Sequence, residues 1–407
     1  MFRFLKNIGP GPLVAAAFIG PGTVTVCSLA GVRFGYSLLW ALVISIAATI
    51  ILQEMAARLG LISKAGLSDA IRSQLQHPFL KIVTLFLIVS AIIIGNAAYE
   101  AGNVTGGVLG LETIVGSGQL QLGSRSYNYL SIIIGFIAFG LLYIGNYKFI
   151  ERILLTLVIL MSLSFLITAI VTKPDISAIL KGIFVPNLNE DTILDVAALI
   201  GTTVVPYNLF LHASLVNTKW KGEISLKSVR LDTYVAIILG GLVSMMVVIT
   251  ATAITSGEIT NGADLAKSLE PLFGSYAKYV MGIGLFAAGL TSAITAPLAA
   301  AYVAAGCFGW KSDLRSNKFR AVWALVLIVG ILFSSLSISA IEVIWFAQIA
   351  NGILLPVIAI FLLWIMNKKS VLGAHTNTLL QNILGIVIVL FTIFLGTKSI
   401  LKVISNL

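Results

Sequence analysis

Apolar residues fall along this chain in runs of about 20, separated by short polar stretches rich in Lys and Arg. Runs of that length match helices that cross a bilayer; a membrane barrel would show strands of about 10 alternating residues. About eleven spans can be drawn, at 12–32, 38–60, 80–106, 129–146, 151–172, 193–215, 233–256, 278–306, 320–338, 341–366 and 378–402. The pattern predicts an all-α integral membrane protein.

Two spans carry helix breakers at mid-membrane depth. The first contains AFIGPGTVTVCSLAG, residues 17–31, where Gly20, Pro21 and Gly22 stand together. Two glycines around a proline remove side-chain packing and a backbone donor at one place, so an unwound stretch is expected. The sixth span reads LIGTTVVPYNLFLHASLV, residues 199–216, with Pro206 near its centre. Taken alone, that proline reads as a kink. The two positions correspond, however, because they lie five spans apart. Five spans cannot return the chain to its starting side, so the second five would be inverted. Interrupted helices at matching places in inverted halves point to a transporter's midplane site. The expected organisation is one transmembrane domain over 1–407. Repeat one covers about 12–172, repeat two about 193–366, and an extra helix about 378–402.

Composition narrows the class further. The chain is 58% hydrophobic and 10% charged, with mean hydropathy +1.03, against roughly 25% charged residues in soluble domains. The net charge of +10 does not imply nucleic acid, because the basic residues sit in short loops between apolar spans. Counted on alternating sides, 18 of the 26 Lys and Arg, from Arg3 and Lys6 to Lys368 and Lys369, fall on one side. The positive-inside rule makes that side cytoplasmic, placing the N-terminus inside and the C-terminus outside a plasma membrane. The longest loops, near 110–128, 173–192 and 257–277, would then be external. The basic MFRFLKN start leads into no clear cleavage site, so no cleavable signal peptide is expected. Cys27 and Cys307 lie in apolar stretches without metal-binding spacing, and no disulfide framework is expected.

Four stretches carry a resemblance. They are Gly20-Pro21-Gly22-Thr23; Val205-Pro206-Tyr207-Asn208 followed by Leu209-Phe210-Leu211-His212; GLFAAGLTSAITAPLAAAY at 284–302; and QEMAARLG at 53–60. Together they resemble the Nramp divalent-metal transporters over most of the chain. That resemblance implies the inverted five-plus-five, leucine-transporter-type fold of the amino acid–polyamine–organocation superfamily. The family's first break reads Asp-Pro-Gly-Asn and its sixth span Met-Pro-His-Asn, and its Asp, Asn and Met are metal ligands. At the matching positions this chain has Gly20, Thr23 and Val205, and Tyr207 replaces the His.

No anionic or soft ligand remains at those positions, although transition-metal selection relies on ligand type. A dication stripped of water without countercharge would meet a prohibitive desolvation cost. The substrate-site candidates are Gly20, Gly22, Thr23, Val24, Thr25, Val205, Tyr207, Asn208, Gln348 and Asn351. A half-helix starting near Gly22 would aim the amides of Gly22, Thr23 and Val24 into the cavity, where a helix N-terminus attracts anions. Hydroxyls of Thr23 and Thr25 add donors, as do Tyr207 and Asn208, while Gln348 and Asn351 of span ten could close the site. The expected substrate is a small inorganic anion, bicarbonate first, carried by symport. The alternative is Mg²⁺ or Mn²⁺ held by backbone carbonyls, Asn208 and Gln348. Thr23 also fits as a mere helix cap.

Coupling candidates are Thr291 and Ser292 on span eight, Glu100 on span three and His212 on span six. The hydroxyl pair matches a Na⁺ site in several relatives of the superfamily, though small hydroxylated residues also serve close helix packing. Glu100 is an intramembrane acid, a residue type that is functional by default, and the resemblance implies proton movement by span-three acids. Glu54 is expected to reach the interface, and Asn96 and Asn103 are weaker candidates. No cofactor is expected beyond a coupling Na⁺ or H⁺. The expected surroundings are the lipid bilayer, with no nucleic-acid partner; the sequence leaves the oligomeric state open, and a monomer is compatible with it. A sensor would need a signalling appendage. An intramembrane enzyme would need a midplane nucleophile–base pair, yet only His77, His212 and His375 are present. ATP-driven transport lacks a GxxxxGK[ST] stretch.

Overall fold

The computed structural model describes residues 19–123, 125–145, 148–219, 225–254, 258–336 and 338–405. The start of the first expected span at 12–18 lies outside them, as do Arg3, Lys6 and Lys221 and positions 146, 255–256 and 337 of three other spans. Among the described residues, nine helical segments are long and apolar enough to cross a membrane. Tyr129–Ile144 is a shorter apolar helix, and Pro21–Phe34 is the described part of the first span.

In chain order the helices are α1 (Pro21–Phe34), α2 (Leu39–Ser63), α3 (Leu67–Gln74) and α4 (Pro78–Val115). A two-stranded antiparallel hairpin follows, β1 (Gln119–Leu122) with β2 (Arg125–Asn128), in which Gln119 faces Asn128. Next come α5 (Tyr129–Ile144), α6 (Lys148–Val171), α7 (Ile176–Phe184), α8 (Ile193–Thr203), α9 (Pro206–Lys219) and α10 (Leu226–Ala251). After short helical turns come α11 (Ala277–Phe308), α12 (Asn317–Ser335), α13 (Ala340–Ile365) and α14 (Leu379–Ser405).

The long connections carry more structure than the sequence reading expected. Residues 110–128 are the end of α4 plus the hairpin, 173–192 include α7, and 257–277 include Gly262–Ala266 and Glu270–Phe273. Local chemistry explains this. Asp175 accepts from the amides of Ser177 and Ala178 at the start of α7, and Asn261 with Asp264 forms a capping box. Gly123 turns the hairpin at φ 65°.

The central packing is α4 against α11, made possible by small residues. A methyl group added at Gly289 would lie 2.5 Å from the Gly107 amide nitrogen and 2.8 Å from the Asn103 carbonyl oxygen. One added at Gly282 would lie 2.7 Å from the Gly110 carbonyl oxygen. Close backbone approach is a general means of packing membrane helices. Gly289→Ala should therefore lower stability by about 1–3 kcal/mol, the range for overpacking. A lowered melting temperature of the purified protein checks this, and an unchanged one contradicts the backbone contact.

Both expected breaks bear on the bundle centre. α1 starts at Pro21 with Gly20 as its extended N-cap residue and no side-chain cap. In the sixth span the helix stops at Thr203 and restarts at Pro206, so Pro206 marks a full interruption rather than a kink. Val204 and Val205 form the gap, and both are completely buried. The exposed residues of the long helices are mainly Leu, Ile, Val and Phe, as a lipid-facing surface requires.

Candidate functional site

The two breaks meet. Thr23 is the third residue of α1, and its Oγ1 lies 2.8 Å from Thr202 Oγ1, near the end of α8. The capping role considered for Thr23 is thus replaced: Gly20 holds that position, and the Thr23 hydroxyl reaches across to the other interrupted span. The first helical hydrogen bond of α1 runs from the Val24 amide to the Gly20 carbonyl, so the Gly22 and Thr23 amides precede the helical ladder.

Glycine at the first break leaves room for neighbouring side chains. A methyl at Gly20 would lie 3.2 Å from Ser292 Oγ on α11 and 4.0 Å from Tyr99 OH on α4. A methyl at Gly22 would overlap the Gln348 carboxamide of α13. α13 is held close because Gly201 of α8 faces the Gln348 carbonyl and Gly352 faces the Ala197 carbonyl. The Tyr99 and Tyr207 rings pack with centroids 5.5 Å apart. Four elements therefore converge on Gly20–Thr23: α4, α8, α11 and α13.

The polar lining is buried and largely without protein partners. Thr25 Oγ1, both amide atoms of Asn208, Ser292 Oγ, Gln348 Oε1 and Asn351 Nδ2 are all buried and make no hydrogen bond, while the Tyr207 hydroxyl pairs with that of Tyr99. Each such atom left unsatisfied costs about 1–3 kcal/mol, so each is a candidate to meet something polar. Val24 and Val205 bury apolar side chains, and the Val24 amide does not point free into the site as expected: it donates to the Gly20 carbonyl, while the Val205 carbonyl accepts from the Asn208 amide.

The coupling candidates are distributed unevenly. Ser292 faces the break, whereas the Thr291 hydroxyl donates to the Ala287 carbonyl of its own helix at 2.7 Å. The two residues are therefore not an equivalent hydroxyl pair. Glu100 is fully buried; Asn103 Nδ2 donates to its Oε2 at 3.2 Å, and its Oε1 has no partner. Gly330 of α12 rests directly on the Glu100 side chain. His212 Nδ1 lies 2.8 Å from Gln53 Oε1 of α2, while its Nε2 has no partner. Asn96 is already engaged, donating to the Ala296 carbonyl at 2.8 Å.

Glu54, expected to reach the interface, is buried within the protein and paired. It is 5% exposed and receives Arg58 Nη2 at 3.1 Å and Arg230 Nε at 2.8 Å. Arg58 further donates to the His375 carbonyl at 2.8 Å and to Asn377 Oδ1 at 2.7 Å. A membrane interior forbids lone charges, and this network compensates Glu54. At the opposite end Asp195 accepts from Trp345 Nε1 at 3.0 Å and pairs with Arg33 at 3.5 Å. That contact joins α1, α8 and α13 at one end of the breaks.

Sequence reasoning passed over Thr202, Tyr99, Gln53 and Asp195. The signal for Thr202 was its place just before the second break, on the side facing the first. Among the described residues, no group of three or more His, Cys, Asp or Glu could hold a metal ion.

Helices interrupted at matching places in two inverted halves, enclosing buried polar groups, define a membrane transporter of the inverted-repeat class. The comparisons place it within that class. The family model described as natural resistance-associated macrophage protein-like (Nramp) matches residues 11–402. The chain belongs to the Nramp family. It is 26% identical over 406 residues to the divalent metal cation transporter MntH of Caldanaerobacter subterraneus subsp. tengcongensis, covering 97% of this chain and 92% of that protein. It is 25% identical to MntH of Yersinia enterocolitica, covering 98% and 96%. Among solved structures, the Eremococcus coleocola manganese transporter superposes with TM-score 0.75 at 20% identity, covering 97% of this chain and 86% of that one. MhsT, in complex with L-phenylalanine, superposes with TM-score 0.63 at 14% identity, covering 97% of this chain and 98% of that one. These structural likenesses establish the fold.

Proposed function

We propose that this chain is a secondary active transporter that carries a small oxyanion, bicarbonate first, through the site between the two breaks. The observation that carries the reading is the lining itself: Gly20, Thr23 and Val205 occupy the positions where the family resemblance implies metal ligands, and the lining residues named above are all neutral. Asn208 Nδ2, Asn351 Nδ2 and the hydroxyls of Thr25 and Ser292 supply donors for oxyanion oxygens. Gln348 Oε1 and Asn208 Oδ1 supply acceptors for the bicarbonate hydroxyl. A bare dication would leave its charge uncompensated there, at a Born cost on the order of tens of kcal/mol. Ser292, Glu100 and His212 are the residues assigned to coupling with Na⁺ or H⁺. The excess of basic residues at one end supports a cytoplasmic N-terminus and an extracytoplasmic C-terminus.

A second reading has its own support. The relatives named above are divalent metal cation transporters, which favours Mg²⁺ or Mn²⁺ over an anion as cargo. In this reading Asn208 Oδ1, Gln348 Oε1 and backbone carbonyls would hold an ion that keeps most of its water, as Mg²⁺ commonly does.

Uptake into proteoliposomes separates the two. Labelled bicarbonate and, separately, Mn²⁺ are supplied with and without a Na⁺ or pH gradient. The oxyanion reading expects saturable, gradient-driven bicarbonate uptake and no saturable Mn²⁺ uptake. Saturable Mn²⁺ uptake without bicarbonate uptake would replace it with the metal reading.

A further inference from the structure

A cavity of about 410 Å³ opens between α13 and α14, away from the two breaks. Ile360, Leu363, Ile386, Val389 and Leu390 form its apolar wall, and Trp364, Asn367 and Lys368 form its rim. The two helices approach closely on either side of it. Gly385 meets the Leu363 side chain and Gly396 meets Ile353, and the cavity lies around the first of these contacts. Asn367 and Asn382 exchange side-chain hydrogen bonds of 2.9 and 2.7 Å, which pin the helix ends at the rim. Ile360, Ile386 and Leu390 are 46%, 48% and 60% exposed, so the cavity faces the surrounding bilayer.

Charge identifies the occupant. Glu342 is the last acidic residue of the chain, and the rim carries Lys368, which Lys369 follows in sequence. Lys368 Nζ sits 4.9 Å above the Trp364 ring, which holds the ammonium at the mouth of the apolar groove. Among the described residues, neither lysine forms a salt bridge. Apolar wall, aromatic rim and uncompensated ammonium groups lie in the order of the acyl chain, interface and headgroup of a phospholipid. We propose that this groove is a binding site for one anionic phospholipid, its acyl chain against Val389 and Leu390 and its phosphate on Lys368 and Lys369. Basic pockets between membrane helices are a recognised way of holding acidic headgroups.

The test is native mass spectrometry of the full chain in detergent, titrated with phosphatidylglycerol or phosphatidylcholine. The expected result is one retained phosphatidylglycerol per chain, with a preference of about 30-fold over phosphatidylcholine from two surface lysines. Lys368→Ala with Lys369→Ala should remove the preference, and Leu390→Trp, at an exposed position lining the groove, should lower retention of both lipids. Lys311→Ala with Arg315→Ala, a basic pair outside the groove, should change neither. Equal loss in that control, or full retention in Leu390→Trp, would reduce the effect to general surface charge and overturn the site. A dimer that excludes lipid would overturn it in favour of a second copy. Melting temperatures of the variants identify any that fail to fold, and Ile386→Trp then replaces Leu390→Trp as the groove filler.

Discussion

Thr23→Asp is expected to lower bicarbonate uptake by about 100-fold or more, while Thr23→Asn retains it within about tenfold. The two replacements have nearly the same shape and differ in charge. Two like charges about 4 Å apart repel by about 4 kcal/mol at an effective dielectric constant near 20, and each 1.4 kcal/mol is a factor of ten. The carboxylate would stand at the end of α8, beside Thr202 and facing the substrate position. Protonation of the aspartate would soften the loss, so uptake by Thr23→Asp should recover partly as pH falls. Equal loss in both variants would mean that the hydroxyl contact to Thr202 matters and the charge does not. Unchanged uptake in both would remove Thr23 from the substrate path.

Arg58→Met is expected to destabilise the protein by about 3–5 kcal/mol, the range for removing one partner of a buried ion pair. The Arg58 side chain is 2% exposed and that of Glu54 6%, so neither is rescued by bulk water. The change leaves Glu54 with Arg230 alone, whose side chain is 38% exposed, and takes donors from the His375 carbonyl and Asn377. Against a typical total of about 5–15 kcal/mol, the loss should appear as a clear fall in melting temperature and in yield. Adding Glu54→Gln should restore part of it, because the uncompensated charge disappears with the carboxylate. A melting temperature unchanged in Arg58→Met would contradict the buried network.

The membrane-spanning pattern and both interruptions were legible because breakers and apolar run lengths are local signals. Gly20-Pro21-Gly22 could not sit inside a regular helix, and α1 does start there. Pro206 was less decisive, since one proline also fits a kink; the full break depends on Val204 and Val205 being enclosed by other helices. What periodicity could not resolve is which polar side chain faces inward. Thr291 and Ser292 are neighbours, yet about 100° of helix rotation turns one toward its own backbone and the other toward Gly20. The pairing of Glu54 was hidden because Arg230 comes from α10, far away in sequence, and because its near partner Arg58 is tied to the segment after α13. Thr202 was visible in the sixth span, but its pairing with Thr23 arises only when the two broken spans are packed together.

The substitutions at the first break, rather than the fold, set the cargo in this account. A structure determined with millimolar Mn²⁺, using anomalous scattering at the manganese edge, tests that claim most directly. The account predicts no anomalous peak within coordinating distance of the Gly20 carbonyl, Asn208 or Gln348. A peak there, with direct protein ligands, would contradict it and return the site to the metal chemistry of its relatives.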